Sequence, residues 1–346
     1  MGITIIATIF VFSVIVVIHE LGHFMTAKMT GMQVDEFAVG FGPKLISHKV
    51  GSTVYSLRLI PLGGFNRIAG MTDTEQAMTA VRRNKCFISK SLPARLLVMA
   101  AGALMNFILA ICLLWGVFFV AGTVQISPEP IIGQTINGSP AARANLQTGD
   151  RILAIHGEPI YQWQDIGRVL SKHQKDVVTV TFKRQGKEET AHLIPETDAS
   201  SQRQIIGIYP VEQKQRHGFL QAGKLAAFQV GHLSGFMVQG IYQMVTGKAK
   251  ADLAGPIGIA QIAGKAASVG FADLLVFTAF LSTNLGIVNL LPVPLLDGGH
   301  IIILLVEAIR RKKLPARALV YVQTAGMVIL GALFLFSMFK DITRLF

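Results

Sequence analysis

The chain has 346 residues, of which 51% are hydrophobic and 15% charged, with a net charge of +12. So little charge excludes an ordinary soluble domain and fits a chain that crosses a membrane several times. The excess of Lys and Arg gathers in short segments beside apolar runs, which reads as membrane topology and not as nucleic-acid binding, and the two cysteines at unrelated positions imply no disulfide framework.

The first element is an apolar run from about Ile3 to Met25, long enough to cross ~30 Å of hydrocarbon. No charge precedes it and no small-residue cleavage site follows, so it reads as a retained span and not as a signal peptide. Inside it stands His19-Glu20-Leu21-Gly22-His23, an H-E-x-x-H motif. A helix stacks His19 and His23 one turn apart, so both imidazoles can reach one Zn²⁺, with Glu20 beside it as general base on a bound water. Ionisable residues are expensive in a bilayer, which marks them as functional. The bland alternative is a helix whose two histidines and glutamate cap or hydrogen-bond something.

Residues 27–93 form a segment rich in Lys and Arg, expected on the cytoplasmic side. Within it Thr53 to Ile60 alternates partly and Pro61-Leu62-Gly63-Gly64 turns, which predicts a strand or hairpin. That hairpin either touches the membrane or active-site mouth, or is a small cytoplasmic feature. A second span follows over 94–122.

Residues 123–212 read as a soluble extracytoplasmic domain. Ile131 to Ile136 predicts a strand, Ser139 to Ala144 a short helix, Arg151 to Ile155 a strand, Asp165 to Lys172 a helix and Val177 to Phe182 a strand. This order, with Ser139-Pro140-Ala141-Ala142 and Leu146-x-x-Gly149-Asp150-Arg151-Ile152, resembles a PDZ domain. In the permuted bacterial order, Ile206, Gly207 and Ile208 would form the loop that captures a peptide carboxylate. The domain either binds such a peptide or only excludes bulky proteins. Residues 213–254 follow as a linker whose stretch Phe219 to Val245 has apolar residues at helical spacing, either as an amphipathic helix on the outer membrane surface or as a packed helix.

Residues 255–306 hold the third span, and it is interrupted: Asn289-Leu290-Leu291-Pro292-Val293-Pro294-Leu295-Leu296-Asp297-Gly298-Gly299-His300 cannot continue a regular helix. Freed backbone groups at membrane depth must be buried in protein or line a wet cavity, so the segment faces the bundle interior. A carboxylate there needs a strong partner, which makes Asp297 the third zinc donor and leaves a fourth position for water. His300 is a rival donor. Asn289 either binds substrate backbone or a developing oxyanion, or satisfies the broken helix. A basic loop, 307–315, leads to a fourth span and tail, 316–346. The Lys and Arg distribution puts both termini and the 123–212 domain outside, and the two motifs in the cytoplasmic half of the membrane.

The fold expected is therefore a polytopic α-helical membrane protein of about four spans, the third broken, with a membrane-associated β-hairpin and an inserted PDZ-like domain. H-E-L-G-H in the first span and N-x-x-P-x-P-x-x-D-G in the third, flanking that domain, resemble the site-2 protease family of intramembrane zinc metalloproteases, in particular its bacterial regulator-of-sigma-E type. Val39-Gly40-Phe41-Gly42-Pro43, Ile60 to Phe65, Ala101-Gly102 with Asn106-Phe107, and Gly255-Pro256-Ile257 match further blocks. The resemblance implies one Zn²⁺ per chain on His19, His23 and Asp297, with Glu20 as base. It implies substrate strand pairing along Val54 to Phe65, with Tyr55, Leu57 and Leu59 in contact. Its implied partners are the lipid bilayer and membrane-spanning substrates such as anti-sigma factors or remnant signal peptides, in a bacterial cytoplasmic membrane. Ala103 departs from the proline common in the family, and one PDZ-like domain stands where the enterobacterial type has two. The competing readings are a PDZ-bearing membrane scaffold with a vestigial metal site, and a transporter with a broken helix.

Overall fold

The computed structural model describes residues 2–71, 83–173, 176–198, 203–248 and 255–344. Parts of the expected basic segment (72–82) and linker (249–254) lie outside the described residues. The chain divides into two compact units: a helical one built from Met1–Ala121 and Gly218–Phe346, and a strand-rich one, Gly122–His217.

The helical unit opens with α1 (Gly2–Met29), whose length of ~42 Å exceeds the hydrocarbon thickness. Apart from Thr4, Thr8 and Ser13 its side chains are apolar until the His-Glu motif near its end. The chain then enters β1 (Val34–Val50) and β2 (Thr53–Ile68), an antiparallel pair joined at Gly51 and Ser52. Each strand also doubles back on itself. Tyr55 is partnered by both Phe37 and His48, and Leu57 by both Val39 and Ile46, whereas among the described residues Gly64 to Ile68 pairs on one side only. Four segments therefore lie side by side, in the order 44–50, 53–58, 34–39 and 64–68. The expected turn at Pro61 to Gly64 is the place where the last segment reverses.

Ser91 and Pro93 start α2 (Leu92–Val120), since proline lacks only an N–H that the first helical turn leaves unpaired. The base of the hairpin, the ends of α1 and α2, and Leu304 share one core of Ala27, Met32, Val34, Ile68, Phe87, Val98 and Met99. That shared core fixes the sheet against the helices.

In the strand-rich unit, β3 (Thr123–Ile126), β4 (Ile132–Thr135), α3 (Pro140–Arg143), β5 (Arg151–Ile155), β6 (Glu158–Pro159), α4 (Trp163–Leu170), β7 (Val178–Arg184), β8 (Lys187–Leu193), β9 (Glu196–Thr197), β10 (Gln204–Ile205), β11 (Ile208–Pro210) and β12 (Glu212–Gln215) follow in turn. The central sheet runs β6-β5-β7-β8, and β4 pairs with β11 and β3 with β12. Ile152, Ile155, Val178, Val180 and Val169 are fully buried, each contributing about 1.5–3 kcal/mol. The Gly149-Asp150 turn is held by Arg184, whose Nε and Nη2 donate to Asp150 at 2.8 and 2.6 Å. Pairing of Thr123 with Gln215 carries this unit to His217, five residues past the expected boundary at 212.

The chain re-enters the helical unit at α5 (Phe219–Val245). Its Ala222, Ala226 and Val230 are buried one turn apart, and Ala226 and Val230 share a core with Ala110 and Leu114 of α2 and with Ala279. The packed alternative is the one observed. Where a single interrupted span was expected over 255–306, three helices stand: α6 (Pro256–Val269), α7 (Phe271–Leu290) and α8 (Asp297–Arg310). Gly270 separates the first two, and the Pro292 to Leu296 interruption separates the last two. The last helix, α9 (Ala316–Thr343), places Asp341 under the start of α6, where its carboxylate accepts the Gly255 and Gly258 N–H groups at 2.9 Å each. By length and composition α1, α2, α7 and α9 could each cross a membrane, and the protein is a multi-pass membrane protein.

Candidate metal centre

The centre forms where α1, α2 and the α7–α8 interruption meet. Helical spacing stacks His19 on His23, with their Nε2 atoms 3.2 Å apart. Between α7 and α8, Pro292 and Pro294 prevent a continuous helix and Leu295 takes a left-handed conformation (φ 77°). The chain then tucks back so closely that a Cβ on Gly298 would lie 2.3 Å from the Leu290 and Leu291 carbonyl oxygens, and one on Gly299 2.3 Å from that of Val293. Only glycine fits at both. The close turn delivers Asp297, at the start of α8, to the two histidines: its Oδ2 is 3.4 Å from His19 Nε2 and its Oδ1 3.5 Å from His23 Nε2.

These three side chains suit a zinc ion on two grounds. Bonds of about 2.1 Å to a tetrahedral zinc set donor atoms about 3.4 Å apart, and the observed separations are 3.2, 3.4 and 3.5 Å. Asp297 Oδ2 is also buried with no hydrogen-bond partner, which an acceptor in a protein interior rarely tolerates. Among the described residues this is the one group of three such side chains whose donor atoms converge within 4.8 Å.

The donors open onto a cavity of about 270 Å³ that Glu20, Asn289 and His300 also line. Asn66, in the one-sided segment of β2, donates through Nδ2 to Glu20 Oε2 at 2.8 Å and to the Glu20 carbonyl. Asn289 Nδ2 lies 3.4 and 3.5 Å from the two ring nitrogens of His19. His300 turns its Nδ1 to the Leu296 carbonyl, 3.2 Å away, and stays outside the converging group. Phe65, Ile68, Met71, Met99, Leu295 and Leu296 give the cavity an apolar wall.

Three of the expected contact residues are not part of this site. Tyr55 and Leu57 lie in the inner segment of the sheet, where neighbours occupy both edges, so no further strand can pair there. Leu59 is exposed and does not line the cavity. The edge beside Glu20 belongs to Gly64 to Ile68 instead, reached by the reversal at Pro61 to Gly64. Ile206, Gly207 and Ile208 lie in the strand-rich unit. The Ile206 side chain is 1% exposed and belongs to that unit's core, and the carbonyls of Ile206 and Gly207 accept from Ala141 and Ile136, so the Ile206 side chain is unavailable to a ligand. Asn66, Met71 and Met99 were not anticipated. Only Asn66, a polar residue after Gly63-Gly64-Phe65, carried a signal in the sequence.

A family model described as peptidase family M50 matches residues 7–333. A putative zinc metalloprotease of Clostridium perfringens is 35% identical, with 98% of each chain covered. The regulator of sigma-W protease RasP of Bacillus subtilis is 32% identical, with 99% of each covered. Among solved structures, the PDZ domain of an SdrC-like protein of Listeria monocytogenes is 22% identical over 25% of this chain and 93% of that one, with a TM-score of 0.22. With two His and one Asp converging beside a glutamate, and with a match over nearly the whole length, the chain belongs to peptidase family M50, the site-2 type of zinc metalloprotease.

Proposed function

We propose that this zinc metalloprotease hydrolyses peptide bonds in or beside the membrane-spanning segment of single-span proteins, with His19, His23 and Asp297 holding the metal and Glu20 acting as general base. The observation that carries the reading is the convergence of the two Nε2 atoms and the Asp297 carboxylate, whose Oδ2 has no hydrogen-bond partner, at the cavity that Glu20 shares. Bound zinc supplies Lewis acidity toward the scissile carbonyl and lowers the pKa of water. Glu20 takes the proton of the attacking water and returns it to the leaving amide nitrogen. Asn66 holds the Glu20 carboxylate in place through its Nδ2–H. Asn289 turns an amide N–H₂ toward the donors, where it can bind a developing oxyanion.

A helical substrate hides its peptide bonds, so it must unwind before cleavage. The unpaired edge of Gly64 to Ile68 beside Glu20 offers backbone partners to an extended segment. The apolar cavity wall suits the side chains of a former membrane helix. We assign α7 and α8 together to one interrupted span, the basic hairpin to the cytoplasmic face of a bacterial inner membrane, and the strand-rich unit, with its PDZ-like order of elements, to the outer face. We assign as substrates anti-sigma factors already trimmed by another protease, on the similarity to the regulator of sigma-W protease, and remnant signal peptides.

The test is cleavage of a single-span substrate in detergent or vesicles, with zinc analysis of each variant. Glu20→Gln keeps about one zinc per chain and loses at least 10²-fold in rate, whereas Asp297→Ala loses zinc as well. Cleavage by Glu20→Gln at the wild-type rate would remove the proposed base.

A further inference from the structure

The third helix of the centre, α2, supplies no donor, yet it touches the far side of both imidazoles. A histidine that binds metal through Nε2 must carry its proton on Nδ1, and that N–H needs an acceptor to fix tautomer and ring orientation. For His23 the acceptor is the Val98 carbonyl, 2.7 Å from Nδ1. For His19 the side chain of Asn106, two turns further along α2, lies 3.2 Å from Nδ1, and the Gly102 carbonyl, one turn on from Val98, is the competing acceptor on the same helix.

Asn106 is fully buried in a helix that is apolar from Leu96 onward apart from it. Its amide turns Nδ2 toward His19 Nδ1 and leaves Oδ1 buried without a hydrogen-bond partner. The two ends of an amide are interchangeable in shape, and chemistry decides which one faces a neighbour. With Nδ2 donating, His19 would carry its proton on Nε2, the atom that faces His23 and Asp297, and could not bind a metal there. With the amide rotated by half a turn, the orphaned Oδ1 accepts the Nδ1–H of His19 and frees Nε2. Asn289 is a poorer candidate, because it sits almost equally far from both ring nitrogens and so is in line with neither. The backbone of Asn106 is itself fixed, since Ser282 of α7 donates to its carbonyl at 2.8 Å.

We infer that Asn106 is a positioning residue of the metal centre, whose side-chain oxygen accepts the Nδ1–H of His19 and holds Nε2 ready for zinc. The inference rests on the zinc reading of His19, His23 and Asp297, so the experiment separates the two. Zinc affinity of the detergent-purified full chain is measured by competition with a chromophoric chelator, and the Co²⁺-loaded protein is examined by visible absorption, for wild type, His19→Ala, Asn106→Leu, Asn106→Ala and Asn106→Asp. Asn106→Leu keeps the volume and removes the acceptor, and it should raise the zinc dissociation constant 10- to 100-fold and alter the cobalt bands. Asn106→Ala should do the same. Asn106→Asp keeps an acceptor and should stay within about threefold of wild type with unchanged cobalt bands. Wild-type affinity and spectrum in Asn106→Leu, with His19→Ala unable to bind, would overturn the role of Asn106 and leave the zinc centre standing. Equal losses in Asn106→Asp and Asn106→Leu would also overturn it, because shape or an N–H donor would then be what His19 needs. Undiminished zinc in His19→Ala would remove the centre and the inference together.

Discussion

Gly102 lies against both imidazoles: a Cβ there would stand 2.3 Å from His23 Nε2 and 2.6 Å from His19 Cε1. The rings cannot retreat, since His23 is anchored to Val98 and both face Asp297. Gly102→Ala, a change of one methyl group in an apolar helix, should therefore lower zinc occupancy while leaving α2 helical. Metal analysis beside far-ultraviolet circular dichroism checks this, and full occupancy would mean that the rings have slack. Residue-level chemistry was the most legible part of the sequence. His19, Glu20 and His23 are legible because four residues make one helical turn, and Asp297 because two prolines and two glycines announce a helix that must stop. Asn106 and Gly102 were visible only as a block of sequence. Spacing says which face of α2 they share, but not which neighbour that face meets.

Among the elements, the doubled-back hairpin carries its own ionic lock. Glu36 sits within the sheet, and its carboxylate accepts from Ser56 at 2.7 Å, Arg58 at 2.8 Å and Lys44 at 3.0 Å. Burial alone would push its pKa up, but the Ser56, Arg58 and Lys44 contacts outweigh it and hold the group down to about 2, against an ordinary 4.5. The folded-state pKa is depressed, so the lock is fully present above about pH 4.5 and is lost as pH falls toward 2. Hydrogen exchange of the β1 and β2 amides should accelerate across that window beyond its intrinsic pH trend, and Glu36→Gln should flatten the excess. An excess of equal size in Glu36→Gln would assign it to another group. The hairpin was predicted from a short alternating run and a Pro-Gly-Gly turn. Its four-segment order was not, because pairing of 36–39 with both 54–57 and 64–67 joins residues whose local sequence holds no record of one another. Tyr55 and Leu57, expected on a strand that a substrate could pair with, lie between two neighbours for that reason: the run has the look of an edge and the position of a centre.

For the whole molecule, every donor and every residue lining the cavity belongs to the helical unit, while Gly122–His217 is compact in its own right. The strand-rich unit leaves and rejoins the helical chain through two paired strands, Thr123 standing opposite Gln215. The cut ends are thus neighbours, and a short Gly/Ser bridge from Ala121 to Gly218 can close the chain. The shortened protein should retain about one zinc per chain, and loss of the metal would show that the strand-rich unit supports the centre. Composition made the membrane class legible at this scale, and turn signals made the inserted domain legible.

The three proposed metal donors are also far apart in the order of synthesis. His19 and His23 lie on α1, and α2, which seats both rings, comes next in the chain. Asp297 arrives only after the strand-rich unit and α5 to α7 have been made, and α9 still follows it. A nascent chain at any earlier stage carries two donors and a base without the carboxylate that closes the set. On the proposed roles, a product of interrupted translation that ends before Asp297 should be unable to hydrolyse the membrane proteins around it.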